Sequence, residues 1–247
     1  ITGPSPVVMA IPPEQDKRFR YLDAMGIQVW ARRDEGHDEP QNAPPSGVRA
    51  QAPAASGEED IATLDWDALR ARVLSCTRCA LHEQRAQAVF GVGNRTAQWL
   101  IIGEAPGAEE DRQGEPFVGR AGKLLNNMLL AIGLKREEVY IANIVKCRPP
   151  NNREPTPEEA QTCAPYLARQ ISLIKPNIIL AVGRVAAQNL LKTDRPVGSL
   201  RGKRFYYEQT DIPVVVTYHP AYLLRSPQEK RKAWQDLLAA KQIFSSQ

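Results

Sequence analysis

Three groups of residues in this chain have the types and spacing to do chemistry. The first is the turn Gly103-Glu104-Ala105-Pro106-Gly107, which closes the apolar run Trp99-Leu100-Ile101-Ile102 and is followed by Glu109, Glu110 and Asp111. Such a run reads as a buried strand, and a Gly/Pro turn at its carboxyl end is where open α/β sheets place ligands, so Glu104 falls on the floor of a cleft. The turn is not a phosphate-binding loop, because it lacks a Lys-Ser/Thr ending and its three acids repel phosphate. The second group is Asn143 and His219, at the ends of two further apolar runs. One amide offers a donor and an acceptor together, and an imidazole can hold a proton or present one. Each also has an ordinary reading: Glu104 caps a turn, Asn143 satisfies a strand end, and His219 before Pro220 is structural.

The third group is Cys76, Cys79, Cys147 and Cys163. A tight Cys-x-x-Cys pair with two distant partners suits an iron–sulfur cluster held by four thiolates more than structural zinc, whose knuckles come as two tight pairs. Unliganded core cysteines are the third reading.

The elements that must position these groups follow from periodicity. Thr63–Leu74 is a helical pattern that delivers Cys76, and residues 119–132 put Leu124, Leu125, Met128, Leu129 and Ile132 on one helical face. Strands are predicted at Trp99–Ile102, Val139–Val145, Asn177–Val182 and Ile212–Thr217, with Pro213 at a strand start. Thr156, Pro157 and Glu159 form a capping box for a helix that carries Cys163 and runs to about Lys175. A short helix at Arg184–Leu191 and a last one over Pro227–Ile243 complete the pattern. Strands alternating with helices predict an α/β fold, a three-layer α/β/α sandwich around a central four-stranded, mostly parallel sheet. In such sheets the carboxyl ends share one rim, so Glu104, Asn143, Gly183 and His219 are expected to meet.

The 247 residues allow one such domain with an appendage. Residues 61–247 are read as the folded domain. Residues 34–60, rich in Asp, Glu, Pro, Ala, Gly and Ser, cannot bury enough surface to offset chain entropy and read as a disordered linker. Residues 1–33 form an arm whose aromatic and arginine-rich island, 18–33, is either a docking peptide for a protein partner or a loose terminal segment. The chain opens on Ile1 rather than Met, and its first residues are set aside as a cloning remnant. Residues 1–60 hold six Lys/Arg against ten Asp/Glu, which leaves +8 on residues 61–247. A basic domain behind an acidic tether suits a polyanionic partner, or is only a solvated basic surface. No secretory signal or membrane span is recognisable, so a cytoplasmic protein with reduced thiols is expected.

Taken together, Gly103–Gly107 with its acids, Pro116-Phe117-Val118-Gly119-Arg120-Ala121-Gly122, Asn143–Asn152, His219–Arg225 and the four cysteines resemble family 4 uracil-DNA glycosylases over about residues 65–243. The resemblance implies a monomeric [4Fe-4S] enzyme that hydrolyses the N-glycosidic bond of deoxyuridine in single- and double-stranded DNA and leaves an abasic site. It assigns the cluster to Cys76, Cys79, Cys147 and Cys163. Uracil is then held by Glu104, Ala105, Pro106, Phe117, Asn143 and His219, with Glu104 and His219 catalytic. Leu223 and Leu224 suit a wedge in the vacated base stack, with Arg225 on a phosphate. Arg148, Arg153, Arg184, Arg201, Lys203 and Arg204 are candidate phosphate contacts. A related branch traps uracil DNA covalently, but it has Gln after the motif glutamate and a basic loop ending in His. Here Ala105 and the His-free loop Arg148–Pro155 stand in those places. Two rivals remain: a trapping or non-catalytic DNA-binding relative, and a Mg²⁺-dependent phosphodiesterase built on Glu104, Glu109, Glu110, Asp111 and His219.

Overall fold

The computed structural model describes residues 60–246, so the arm, the linker up to residue 59 and the island at 18–33 lie outside the described residues. Six strands form one sheet: β1 (Val92–Gly93), β2 (Trp99–Gly103), β3 (Tyr140–Asn143), β4 (Ile178–Val182), β5 (Phe205–Tyr206) and β6 (Pro213–Thr217), in the order β1-β3-β2-β4-β6-β5. The central four are parallel, as their uninterrupted apolar runs require, since a strand covered on both faces has no reason to alternate. The two-residue edge strands are antiparallel and escape sequence analysis because they are too short to show a period.

Helices cover both faces, and alternate strand residues feed two cores. On one side Leu100, Ile102, Ala142, Ile179, Ala181 and Val216 pack with α1 (Trp66–Leu74), a later helix over Pro157–Ile174 and another over Arg184–Leu191. On the other side Ile101, Ile141, Leu180, Val182 and Val215 pack with helices over Arg120–Ala131, Pro220–Arg225 and Lys230–Ser245. In chain order the helices after α1 are α2 (Ala108–Gln113), α3 (Arg120–Ala131), α4 (Pro157–Ile174), α5 (Arg184–Leu191), α6 (Val197–Leu200), α7 (Pro220–Arg225) and α8 (Lys230–Ser245). The α/β/α sandwich is therefore present, with six strands in place of four.

Caps explain the boundaries. In α4 the Thr156 hydroxyl accepts from the Glu159 amide at 3.2 Å, while the Thr156 amide donates back to the Glu159 carboxylate at 2.8 Å. The helix stops where Lys175 turns left-handed (φ 52°) before Pro176. The first helix starts at Asp65, whose carboxylate accepts from the Ala68 amide at 2.8 Å, and Thr63 belongs to a short 3-10 turn before it. The last helix begins at Lys230 because Pro227–Glu229 forms a separate 3-10 turn.

Register then builds the rim. Gly103 pairs with Asn143 and Val182 with Thr217, so the strands end nearly level and the segments beyond them face one space. The loop amides of Ile144 and Val145 donate to the carbonyls of Gly103 and Glu104 at 3.0 and 3.2 Å, stitching the exit of β3 to the turn after β2.

Candidate active site

A cavity of about 800 Å³ opens at this rim, and its lining includes Glu104, Phe117, Asn143, Gly183, Arg184 and His219. Ala105 and Pro106 line it as well, so every residue expected to hold a base comes to one space.

Asn143 ends β3 and is 2 % exposed, yet its Oδ1 is buried with no hydrogen-bond partner. Buried acceptors are nearly always paired, so this one has unused capacity to accept from a donor that enters the cavity. Gly103 makes the room. A Cβ there would lie 2.5 Å from both Asn143 Oδ1 and the Phe117 ring.

Phe117 is buried in an unusual backbone state, φ 55°, which costs an L residue about 1–3 kcal/mol and needs outside support. Two charged side chains supply it. Arg136 donates to the carbonyls of Pro116 (2.6 Å) and Phe117 (3.2 Å). Glu110 accepts from the amides of Val118 (2.9 Å), Gly119 (3.0 Å) and Gly107 (3.2 Å), and so ties the Phe117 loop to the Glu104 turn. Neither role is visible in sequence, because a strained φ held by distant side chains leaves no periodic trace.

His219 caps α7. Its Nδ1 accepts from the Ala221 amide at 3.1 Å, which leaves the ring proton on Nε2. Burial, with Arg225 adding to it and Glu110 opposing, pushes its pKa down to about 4, so the ring is a neutral donor at pH 7. The ring stands 5.6 Å from that of Phe117, tilted by 31°. Gly183, at φ +99°, passes beside it where a Cβ would come within 2.9 Å of His219 Cβ. Glu104 is half-buried, and burial, reinforced by Glu154 against the pull of Arg184, pushes its pKa up to about 7. Glu154 and Arg184, themselves paired, both line the cavity.

The acids after the turn do not assemble a metal site. Glu109 pairs with Arg112, Glu110 is spent on backbone amides, and Asp111 is buried under the amides of Ala86 (3.0 Å) and Gln87 (3.4 Å). Three binding expectations also change. Leu223 is 1 % exposed and belongs to the core, whereas Leu224 and Tyr222 are each 36 % exposed. Period decides this, since α7 turns Leu223 inward and its neighbours outward. Arg201 points inward, donating to Asp236 (2.9 Å) and to the Lys232 carbonyl (2.6 Å), and is not free to meet phosphate. Arg153 is held bidentately by Glu159, at 2.7 and 2.8 Å. Arg184, Lys203, Arg204 and Arg225 are exposed, and Arg148 is half-buried with its Nε on Asn152.

Residues 90–238 match the family described as the uracil DNA glycosylase superfamily. A type-4 uracil-DNA glycosylase of Archaeoglobus fulgidus is 49% identical over 162 residues, spanning 63% of this chain and 81% of the relative. One of Thermotoga maritima is 42% identical over 187 residues, 71% and 93% of the two chains. The chain belongs to the type-4 uracil-DNA glycosylase family. A type-5 uracil-DNA glycosylase of Thermus thermophilus is 36% identical over 121 residues, 43% of this chain and 55% of the relative.

In this type-4 family member the four cysteines carry no disulfide and line one small pocket with Val73, Lys146 and Tyr166. Cys76 and Cys79 come from the loop after α1, Cys147 from just beyond β3 and Cys163 from α4. Arg85 Nη1 donates to Cys147 Sγ at 2.8 Å, and the guanidinium of Arg78 lies 5.9 Å from the ring centre of the buried Tyr166. Among the described residues no three His, Cys, Asp or Glu side chains come close enough to hold a single metal ion. No helix among them is long and apolar enough to cross a membrane.

Proposed function

We propose that this protein is a monofunctional uracil-DNA glycosylase that hydrolyses the N-glycosidic bond of deoxyuridine and leaves an abasic site for base excision repair. The observation that carries the reading is the meeting of an orphaned amide acceptor, a neutral imidazole donor and a raised carboxyl in one cavity.

An enzyme acting on a base must take it out of the stack and read its edge in a closed pocket. Asn143 Oδ1 accepts from uracil N3–H and its Nδ2 donates to O4. Cytosine, with an acceptor at N3 and an amine at C4, meets both groups reversed. Phe117 supplies the stacking face. As the C1′–N1 bond breaks, its electron pair leaves on uracil and collects at O2, where His219 Nε2–H can donate. A neutral donor suits this task, and such donors are worth roughly 2.7–4 kcal/mol. The Glu104 carboxylate steadies the positive sugar and takes a proton from the water that adds to C1′. The uracil anion then takes up a proton.

Arg184, Arg225 and Lys203 are the phosphate contacts of this reading, with Leu224 and Tyr222 at the vacated stack. Single- and double-stranded DNA are both substrates and the enzyme acts as a cytoplasmic monomer.

The cysteine site is proposed to hold a [4Fe-4S] cluster, whose part is structural. The donor set fits: four thiols and no carboxylate surround one apolar pocket. One zinc ion, at about 2.3 Å per sulfur, would need the sulfurs within about 4 Å of one another, whereas a polynuclear cluster accepts them spread more widely.

The decisive experiment incubates the protein with a labelled oligonucleotide containing one uracil and then adds alkali. Free uracil and a break at that position only after alkali are expected. A break without alkali would overturn the reading in favour of a phosphodiesterase, and a protein–DNA band that survives denaturation in favour of a covalent trap.

A further inference from the structure

Lys146 lies between the amide that reads the base and the cysteine that follows it, and only 1 % of it is exposed. Its ammonium donates to the carbonyl of Asn143 at 3.0 Å and to Gln170 Oε1 at 2.6 Å. Gln170, fully buried, passes the chain on to the Phe90 carbonyl at 2.9 Å. The hydrogen bonds are thus provided for, but the charge is not. Among the described residues no carboxylate pairs with Lys146, and the titratable groups close enough to act on its charge are Cys163 and Cys147.

An unpaired ammonium in the interior is costly, and a neutral side chain could make the same two hydrogen bonds without that cost. Lysine belongs here if the cysteine pocket is anionic in the working protein. Four thiolates around a cluster carry such a net negative charge.

We propose that Lys146 is a positioning residue acting on both sites at once: it is the buried counter-ion of the cysteine-held cluster and the brace on the Asn143 carbonyl. Loading of the cysteine pocket and the geometry of the base-reading amide are then one linked equilibrium. The inference rests on the cluster and base-reader roles proposed above. Arg85 is the natural control, because it donates to Cys147 Sγ and to the Leu74 carbonyl and has no bond to Asn143.

The test follows iron release from the purified holoprotein into a chelator, by visible absorbance and iron content, with and without saturating free uracil. Uracil held at Asn143 favours the braced, loaded state that must open before iron can leave, so it should slow release from the wild type by about five-fold or more. Lys146→Met should release iron faster and lose the protection by uracil. Arg85→Met should release iron faster with the protection intact. Uracil that leaves wild-type release unchanged overturns the proposal even if Lys146→Met fails to fold, and so does a Lys146→Met protein with wild-type release and protection. A wild-type protein that carries no iron overturns it together with the cluster, while uracil release from DNA tests the glycosylase reading separately.

Discussion

The strand-end cavity and the cysteine pocket sit at opposite ends of the five-residue segment Asn143–Cys147, yet they are built on opposite terms. In the cavity, polar groups are left incomplete: Asn143 Oδ1 has no partner, Glu104 is held near neutrality, and Phe117 is kept in a strained backbone state. Around the cysteines the hydrogen bonds are made, from Arg85 to Cys147 Sγ and from Lys146 to Asn143 and Gln170, and what is left over is the charge of the buried Lys146. Hydrogen bonding is thus left unfinished at the cavity, and charge is left unfinished beside the cysteines.

The largest effect is expected at the cysteines. Cys163→Ala should lose the visible absorbance and several kcal/mol of stability, read as a lower denaturation midpoint, because bound metal contributes directly to folding. An unchanged midpoint would leave the pocket without its assigned role. His219→Ala should do the reverse, cutting kcat by about 10²–10³ while DNA affinity and the midpoint stay close to wild type. Gly103→Ala should fall between them. Its Cβ presses on Asn143 and Phe117, at a cost of about 1–3 kcal/mol, and base recognition should suffer while iron content holds.

The pH profile is a finer test. With Glu104 near 7, kcat/KM should fall about tenfold per unit below that pH and level off above it, and Glu104→Gln should lose the break. His219, pushed down to about 4, should add no second break between pH 5 and 9. The stability slopes have opposite signs. Glu104 has a raised pKa, so its folded form holds the proton more tightly than the unfolded form, and its contribution disappears as pH rises through 7. His219 has a lowered pKa, so its contribution is present above the ordinary histidine value and is lost as pH falls from there toward 4. Smallest of all, Arg184→Ala, Lys203→Ala and Arg225→Ala should each reduce the salt slope of DNA binding by about one and weaken binding alike for all sequences. Arg201→Ala should leave that slope unchanged, because its guanidinium is committed to Asp236.

The sequence by itself determined the layers, the four central strands, the capped helix α4 and the rim on which Glu104, Asn143 and His219 meet. Those follow from local signals: apolar runs covered on both faces, a Thr-Pro-x-Glu cap, and turns at strand ends. Tertiary structure alone decided which of two adjacent leucines faces out, which arginine turns inward to an aspartate, and that Glu110 and Arg136 hold Phe117 in its strained state. It also decided the burial that lowers the pKa of His219 and raises that of Glu104. These outcomes depend on burial and on partners distant in sequence, and a charged side chain reads the same in the chain whether it will meet solvent, a phosphate or a buried carboxylate.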